Sequence, residues 1–414
     1  MNLENVSVMS DAVATVLPAD FEAGAVEAGI KYSGRLDLGV LFSRRPSVVA
    51  GTFTRNRVKA APVLDDITLL RSSRKGYQAI VVNSGNANAC TGEQGLKDSA
   101  AMREAAAKAL SIMPEQVLVC STGVIGQPLP MDRIIAGISS ACARLQADSA
   151  GLAHVASAIM TTDTRPKVVT AGLELGGARV SVTGIAKGAG MIAPDMAPHA
   201  TMLSFIMTDA EVEPNLLQSM LNQAVDGSFN SITVDGDTST NDTVLLMANG
   251  ASGQPVVADS LSSEQFFHAL NMVCCKLARM IVEDGEGATR CVEIQITGAR
   301  ARSEARAAAK VIAESPLVKT AIYGRDPNWG RIVAAAGRSG AELAPERLSL
   351  WFDNVQLLDN GNFSGEGAEE QCRQVMTRKA FSIRLDLGVG QETASMLTCD
   401  LSVEYIHINA DYRT

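Results

Sequence analysis

Short apolar runs bounded by Gly, Asn or Asp alternate along the whole chain with longer stretches of helical periodicity. This alternation restricts the fold more than any other feature. Strands are expected at residues 78–82, 117–120, 179–185, 202–207, 243–247, 291–296, 348–352, 381–387 and 395–408, all rich in Val, Ile and Leu. Helices are expected at 97–110, 130–145, 213–225, 263–282 and 303–314, with Pro214 well placed in a first helical turn. Strands dispersed among helices predict an α/β fold of mixed, layered sheets packed with helices. Some strands alternate, as at Arg384 and Asp386, and others are wholly apolar, so one sheet is expected half exposed and another buried. Residues 249–259, with Gly, Ser and Pro, are expected as a surface excursion.

Composition removes several function classes. A net charge of −9 and 4% aromatic residues suit neither nucleic acid nor an anionic membrane. No run of 18 apolar residues is present, so no transmembrane helix is expected. Met1 to Ala19 carries Glu4 and Asp11 and no basic residue, unlike a secretory signal or transit peptide, and a cytoplasmic location is expected. The eight cysteines (Cys90, Cys120, Cys142, Cys274, Cys275, Cys291, Cys372 and Cys399) form no Cys-x-x-Cys pair and read as buried, reduced thiols. The four histidines, His154, His199, His268 and His407, form no ligand cluster, so no dedicated metal site is expected.

Several segments carry chemistry weakly when taken alone. Gly188, Gly190 and Ala193 have the spacing of a dinucleotide loop, but Pro194 and Pro198 would interrupt the helix that such a loop requires. A flexible backbone that brings Lys187 to a ligand carboxylate is the better reading. Cys120-Ser121-Thr122-Gly123 follows a buried strand and reads as a plain Thr-Gly turn, or as a hydroxyl and a backbone N–H presented together to a developing oxyanion. Asn83-Ser84-Gly85-Asn86-Ala87-Asn88-Ala89 and Met160-Thr161-Thr162-Asp163-Thr164 are polar loops at element ends. Asp235 to Asp242 lacks the Gly and terminal Glu spacing of a calcium loop. Asp284-Gly285-Glu286-Gly287 reads as an acidic turn ending a helix, or as an ammonium site.

Thr201 lies between the Gly- and Pro-rich stretch 187–200 and an apolar run. If the bond before it were cut, its hydroxyl would gain a built-in base. Its own α-amine, with an ordinary pKa of about 7.7–8.0, titrates near neutrality. Threonine with an N-terminal amine is an established activated nucleophile.

The ordered set of these segments resembles the ornithine acetyltransferase family, also called glutamate N-acetyltransferases. It runs from Gly24-Ala25-Val26-Glu27-Ala28-Gly29-Ile30-Lys31 through Asn83–Ala89, Ser121–Ile125, Met160–Thr164, Lys187–Pro194, Ala200-Thr201-Met202-Leu203, Thr233–Asp242, Asp284–Thr289 and Asp326-Pro327-Asn328 to Asn409-Ala410-Asp411-Tyr412-Arg413-Thr414. The resemblance implies an N-terminal-nucleophile-like fold. It also implies self-cleavage between Ala200 and Thr201 into an α chain (1–200) and a β chain (201–414) that share one core, two of each forming a heterotetramer. Thr201 is then the nucleophile, and Thr122 and Gly123 form the oxyanion hole. Thr162 (or its neighbour Thr161), Lys187, Thr201, Glu286, Asn409 and Thr414 contact substrate. The implied reaction moves acetyl from N2-acetyl-L-ornithine to L-glutamate, in the cyclic route of arginine biosynthesis. Some members also accept acetyl-coenzyme A, and these residues do not decide between the two kinds. The alternative is a self-processing aminopeptidase or amidase of related fold, with water as acceptor, and a third is a binding protein that keeps the fold.

One departure stands out. The family runs directly from a Pro-x-Met-Ala segment into Thr-Met-Leu, whereas Pro198-His199-Ala200 intervenes here before Thr201. The three residues fall on the α-chain side and alter how the scissile bond is presented, while leaving the mature nucleophile intact.

Overall fold

A computed structural model of the chain describes residues 6–9, 15–193, 196 and 202–411. They fall into two compact units, one of Met1–Asn230 and Asp237–Ile281, the other of Ser231–Gly236 and Val282–Arg413.

Among the described residues the first unit contains strands β1 (Val6–Met9), β2 (Phe21–Val26), β3 (Leu38–Phe53), β4 (Lys75–Asn83), β5 (Val117–Ser121), β6 (Lys167–Leu175), β7 (Ala178–Lys187), β8 (Leu203–Thr208), β9 (Glu211–Val212), β10 (Thr243–Ala248) and β11 (Pro255–Val256). Nine of them form one mixed sheet in the order β1-β6-β7-β8-β10-β3-β4-β5, with β2 added against β3. Its helices are α1 (Ala61–Ser72), α2 (Gly92–Leu110), α3 (Met131–Cys142), α4 (Ser149–Ala158), α5 (Pro214–Asp226) and α6 (Leu261–Glu283). One sheet face packs Leu41, Ile80, Val82 and Leu118 against Leu152 and Val155 of α4. The other packs Val40, Val81 and Val119 against Met102 of α2 and Ile134 and Ile138 of α3. A sheet covered on both faces explains why β4, β5 and β10 read as unbroken apolar runs.

The second unit holds β12 (Cys291–Ala299), β13 (Ser349–Phe352), β14 (Val355–Asp359), β15 (Asn362–Phe363), β16 (Ala380–Asp386) and β17 (Glu392–Cys399). They form one sheet in the order β15-β14-β13-β16-β12-β17. With them lie α7 (Arg302–Ala313), α8 (Pro316–Gly324), α9 (Trp329–Gly337), α10 (Glu366–Val375) and α11 (Val403–Asp411). Ile294, Ile296, Ile383 and Leu385 pack with Ala305, Ala309 and Ile312 of α7 on one face. On β16, Arg384 and Asp386 are half-buried between the buried Ile383, Leu385 and Leu387, so this is the half-exposed sheet that the alternation predicts. Arg384 stacks over the Trp351 ring at 4.3 Å.

Three expectations need correction. Residues 395–408 are not one strand: β17 stops at Cys399 and α11 follows. The buried Asp400 accepts the backbone N–H groups of Thr289 (2.8 Å) and Arg290 (3.0 Å), which takes the chain out of the ladder. The Ser402 hydroxyl then accepts the Tyr405 N–H at 3.4 Å, as a helix-capping serine does. The excursion at 249–259 is only partly loose, because β11 pairs in parallel with β9 and Asn249 is buried. The cysteines are not uniformly buried: Cys90 is exposed, and Cys142 and Cys275 are partly so. No described helix is long and apolar enough to cross a membrane.

Candidate active site

Strands β4 and β5 run parallel, with Asn83 opposite Ser121, so the loops that leave their C-terminal ends lie side by side. A network of buried amides joins them. The Asn83 side chain donates to the Asn86 carbonyl (2.9 Å) and accepts from the Ser121 hydroxyl (2.7 Å). Asn86 donates to the carbonyls of Gln127 and Pro128 at 3.2 and 3.1 Å. Asn241 donates to the carbonyls of Ala87 (2.6 Å) and Ser121 (2.8 Å). The Thr122 N–H donates to the Asn83 carbonyl at 3.0 Å.

Gly123 is required at this point by space as well as by conformation. Its φ is +132°, and a Cβ there would come within 2.3 Å of the Gly85 carbonyl carbon and 2.5 Å of the Asn86 nitrogen. Both neighbours are backbone, so a side chain cannot be accommodated by a rotamer change.

Lys187 is the last residue of β7, opposite Leu203 of β8. It is buried, and its ammonium donates to the Thr122 hydroxyl at 3.4 Å. Residues 188–193 do not form a helix, which removes the dinucleotide-loop alternative. Met202 is buried, and its carbonyl accepts from the Thr243 N–H at 2.8 Å. A Cβ on Gly188 would lie 3.6 Å from the Met202 Cβ, so the start of β8 lies beside the Lys187-Gly188 turn.

The loop of Thr161 and Thr162 is brought to the same place by Asp163. Its carboxylate accepts from the Gly188 N–H (2.6 Å), the Thr161 N–H (3.0 Å) and the Lys167 ammonium (2.7 Å). Both side chains of the Asp163–Lys167 pair are fully buried. Burial pushes the Asp163 carboxyl upward, but the Lys187 and Lys167 charges and the Gly188 amide outweigh it and hold the group below its ordinary value. Arg35 braces the loop from outside, donating to the carbonyls of Met160 (2.5 Å) and Thr161 (3.5 Å). Thr122, Gly123, Lys187 and the Thr161–Thr162 loop are thus brought together in the first unit. Lys167 is the residue that sequence reasoning passed over, while Asp163, Asn83 and Asn241 stood inside quoted segments without a role of their own. Only the position of Asp163 inside a quoted motif could have flagged it.

In the second unit, Glu286 and Asn409 come together. Asn409 Nδ2 donates to Glu286 Oε2 at 2.7 Å and to the Tyr405 carbonyl at 3.0 Å. The turn carrying Glu286 is held from below by Asp400, and by Ser402, whose hydroxyl donates to the Gly287 carbonyl at 2.7 Å. Glu286 is buried. Its turn, read from sequence as the acidic end of a helix, therefore presents a carboxylate held by α11. Ala200, Thr201 and Thr414, and the Pro198-His199-Ala200 departure, lie outside the described residues. Among the described residues, no group of three or more His, Cys, Asp or Glu is placed to hold a metal ion.

Comparison with known proteins assigns the chain to a family. The model of the ArgJ family matches residues 22–414. The arginine biosynthesis bifunctional protein ArgJ of Geobacter sulfurreducens is 50% identical over 395 residues, covering 95% of this chain and 99% of that protein. Its namesake in Symbiobacterium thermophilum is 48% identical over 400 residues, covering 96% and 98%. A solved structure of arginine biosynthesis bifunctional protein argJ from Bacillus halodurans is 41% identical, with a TM-score of 0.49, and covers 51% of this chain and 100% of that one. With a family match over nearly its whole length and relatives of this identity along their whole length, the chain belongs to the ArgJ family.

Proposed function

We propose that this chain is a glutamate N-acetyltransferase of arginine biosynthesis that carries acetyl from N2-acetyl-L-ornithine to L-glutamate on Thr201. One observation in the first unit carries the reading. The oxyanion threonine and the carboxylate-binding lysine are hydrogen-bonded to each other, Lys187 to Thr122 at 3.4 Å, and Lys187 stands opposite Leu203, two residues after Thr201.

In the first stage the Thr201 hydroxyl attacks the Ala200 carbonyl. The acyl group shifts from nitrogen to oxygen, and water hydrolyses the ester, giving an Ala200 carboxylate and a free Thr201 amine. That amine then takes the hydroxyl proton as Thr201 Oγ1 attacks the acetyl carbonyl of acetylornithine. Negative charge develops on the carbonyl oxygen, where the Thr122 hydroxyl and the Gly123 N–H stabilise it. The proton passes to the leaving amine and ornithine departs, with the acetyl group left as a Thr201 ester. The glutamate amine attacks that ester, acetylglutamate forms, and the Thr201 hydroxyl is restored. Lys187 pairs with the α-carboxylate that both amino acids carry. Thr162 and Asn409 contact substrate, and Glu286 and the Thr414 carboxylate answer the ornithine ammonium. No cofactor enters any step. The chains before and after residue 200 act as α and β, two of each in a cytoplasmic heterotetramer.

The bifunctional name of the relatives supports a second activity, acetylation of glutamate by acetyl-coenzyme A. An assay with acetyl-coenzyme A and glutamate, without acetylornithine, tests it by the appearance of acetylglutamate. For the main reading, denaturing electrophoresis and N-terminal sequencing of the active protein should give two chains, the second beginning at Thr201. Hydrolysis of acetylornithine with no transfer to glutamate would point instead to an amidase.

A further inference from the structure

The residues assigned to substrate do not hold themselves in place. Thr161 and Thr162 lie in a loop before β6, Lys187 at the end of β7 and Thr122 at the end of β5. The Asp163 side chain reaches two of these segments directly, through the Thr161 and Gly188 amides. We propose that Asp163, paired with Lys167, is the positioning residue of this site: a single buried carboxylate ties the Thr161–Thr162 loop to the Lys187-Gly188 backbone and so fixes the Lys187 ammonium against the Thr122 hydroxyl. This inference rests on the transferase reading above.

Two arguments carry it. A buried ion pair is weak evidence for stability, because the cost of desolvating both charges offsets most of their attraction. The Asp163–Lys167 pair is fully buried, so as a pair it gains little stability over apolar side chains of the same size. Its geometry accounts for its place here. Oδ1 takes the Gly188 N–H and the Lys167 ammonium, and Oδ2 takes the Thr161 N–H, so the carboxylate orients two peptide planes at once. Lys167 keeps that carboxylate charged and aimed, and β6 holds Lys167 in register, paired with Ala186 next to Lys187. The charged groups at the Lys187 end of β7 include Asp163 from the loop and Lys167 from β6. The end of β5 presents the Thr122 hydroxyl, and β8 presents the apolar Leu203.

The test is the pH dependence of acetyl transfer from acetylornithine to glutamate, measured on the assembled protein. Transfer falls on the alkaline side when Lys187 loses its proton, and the Asp163 charge favours the protonated form. Asp163→Asn should lower kcat by about 10²-fold, the cost of about 1 Å of misplacement. It should also move the alkaline limb down, because the Asp163 and Lys187 charges are coupled. Lys167→Met removes a like charge from the neighbourhood of Lys187, so it should lower kcat while leaving the limb at or above the wild-type position. If Asp163→Asn does not fold, Lys167→Met alone decides: wild-type kcat in that variant overturns the proposal. A limb that stays fixed in Asp163→Asn while kcat falls makes the carboxylate merely structural and also overturns it, as does an unchanged kcat. A wild-type protein that transfers no acetyl group counts against the transferase reading and not against this one.

Discussion

At Gly123 the backbone of the neighbouring loop lies where a side chain would begin. A Cβ would approach the Gly85 carbonyl carbon to 2.3 Å, so Gly123→Ala must move main chain at the centre of the buried amide network. Overpacking of this kind costs about 1–3 kcal/mol. Gly123→Ala should therefore lower the urea midpoint and lower kcat in the same variant. Thr122→Val separates the two effects. It keeps the shape of the side chain and the backbone bond to Asn83, and removes only the hydroxyl that receives Lys187. Loss of one oxyanion donor lowers kcat by about 10²–10³. The prediction for Thr122→Val is a fall of that order with KM and the urea midpoint close to wild type. A variant that loses stability in proportion to activity would make Thr122 a packing residue.

At the scale of elements, the turn that presents Glu286 depends on the segment after β17. Asp400 accepts two backbone N–H groups of that turn and pairs with the buried Arg290 at 3.5 Å. Breaking such a pair by removing one partner costs about 3–5 kcal/mol. Asp400→Ala should lower the urea midpoint accordingly, whereas Glu286→Gln should leave it nearly unchanged and raise the KM for acetylornithine. Equal stability of Asp400→Ala and wild type would contradict this account of the turn. The same segment shows where the sequence was hard to read. Residues 395–408 carry apolar residues throughout, and the helix start depends on Asp400 and Ser402 finding partners more than 100 residues away along the chain. The long strand β3 was missed because Arg44-Arg45-Pro46 interrupts its apolar pattern. There the register with β4 shifts, and the arginines pair with Glu22 and Asp20. Strands buried on both faces, such as β4 and β5, were legible because nothing polar interrupts them. The site was legible only as an ordered set of motifs. Asp163 drew no notice because an aspartate in a polar loop looks the same whether it is solvated or buried between two lysines.

At the scale of the whole molecule, two buried carboxyls give stability a pH dependence of opposite sign. Asp66 on α1 is 1% exposed and accepts from the Val119 N–H at 3.1 Å, and burial pushes its carboxyl well above the ordinary value. A carboxyl raised in the folded state contributes fully below its unfolded pKa of about 3.9. That contribution is lost as pH rises towards the folded value. Asp66→Asn should therefore gain on wild type in urea midpoint as pH rises above about 3.9. Asp163 is held below its ordinary value, so its contribution is present above the unfolded pKa and lost as pH falls through the folded one. Asp163→Asn should accordingly lose most against wild type at neutral pH and approach it in acid. Midpoints that run in parallel with pH for all three proteins would contradict both assignments.

The central claim is that the mature chain beginning at Thr201 carries the acetyl group. Purified protein incubated with N2-acetyl-L-ornithine, denatured in acid and measured by intact mass gives the direct answer. The account predicts two chains, with one acetyl group added to the chain that starts at Thr201, lost again when glutamate is supplied as acceptor. Thr201→Ala should give one uncleaved, inactive, unmodified chain. A single intact wild-type chain with full transferase activity, or an active β chain that never carries the acetyl group, would contradict it.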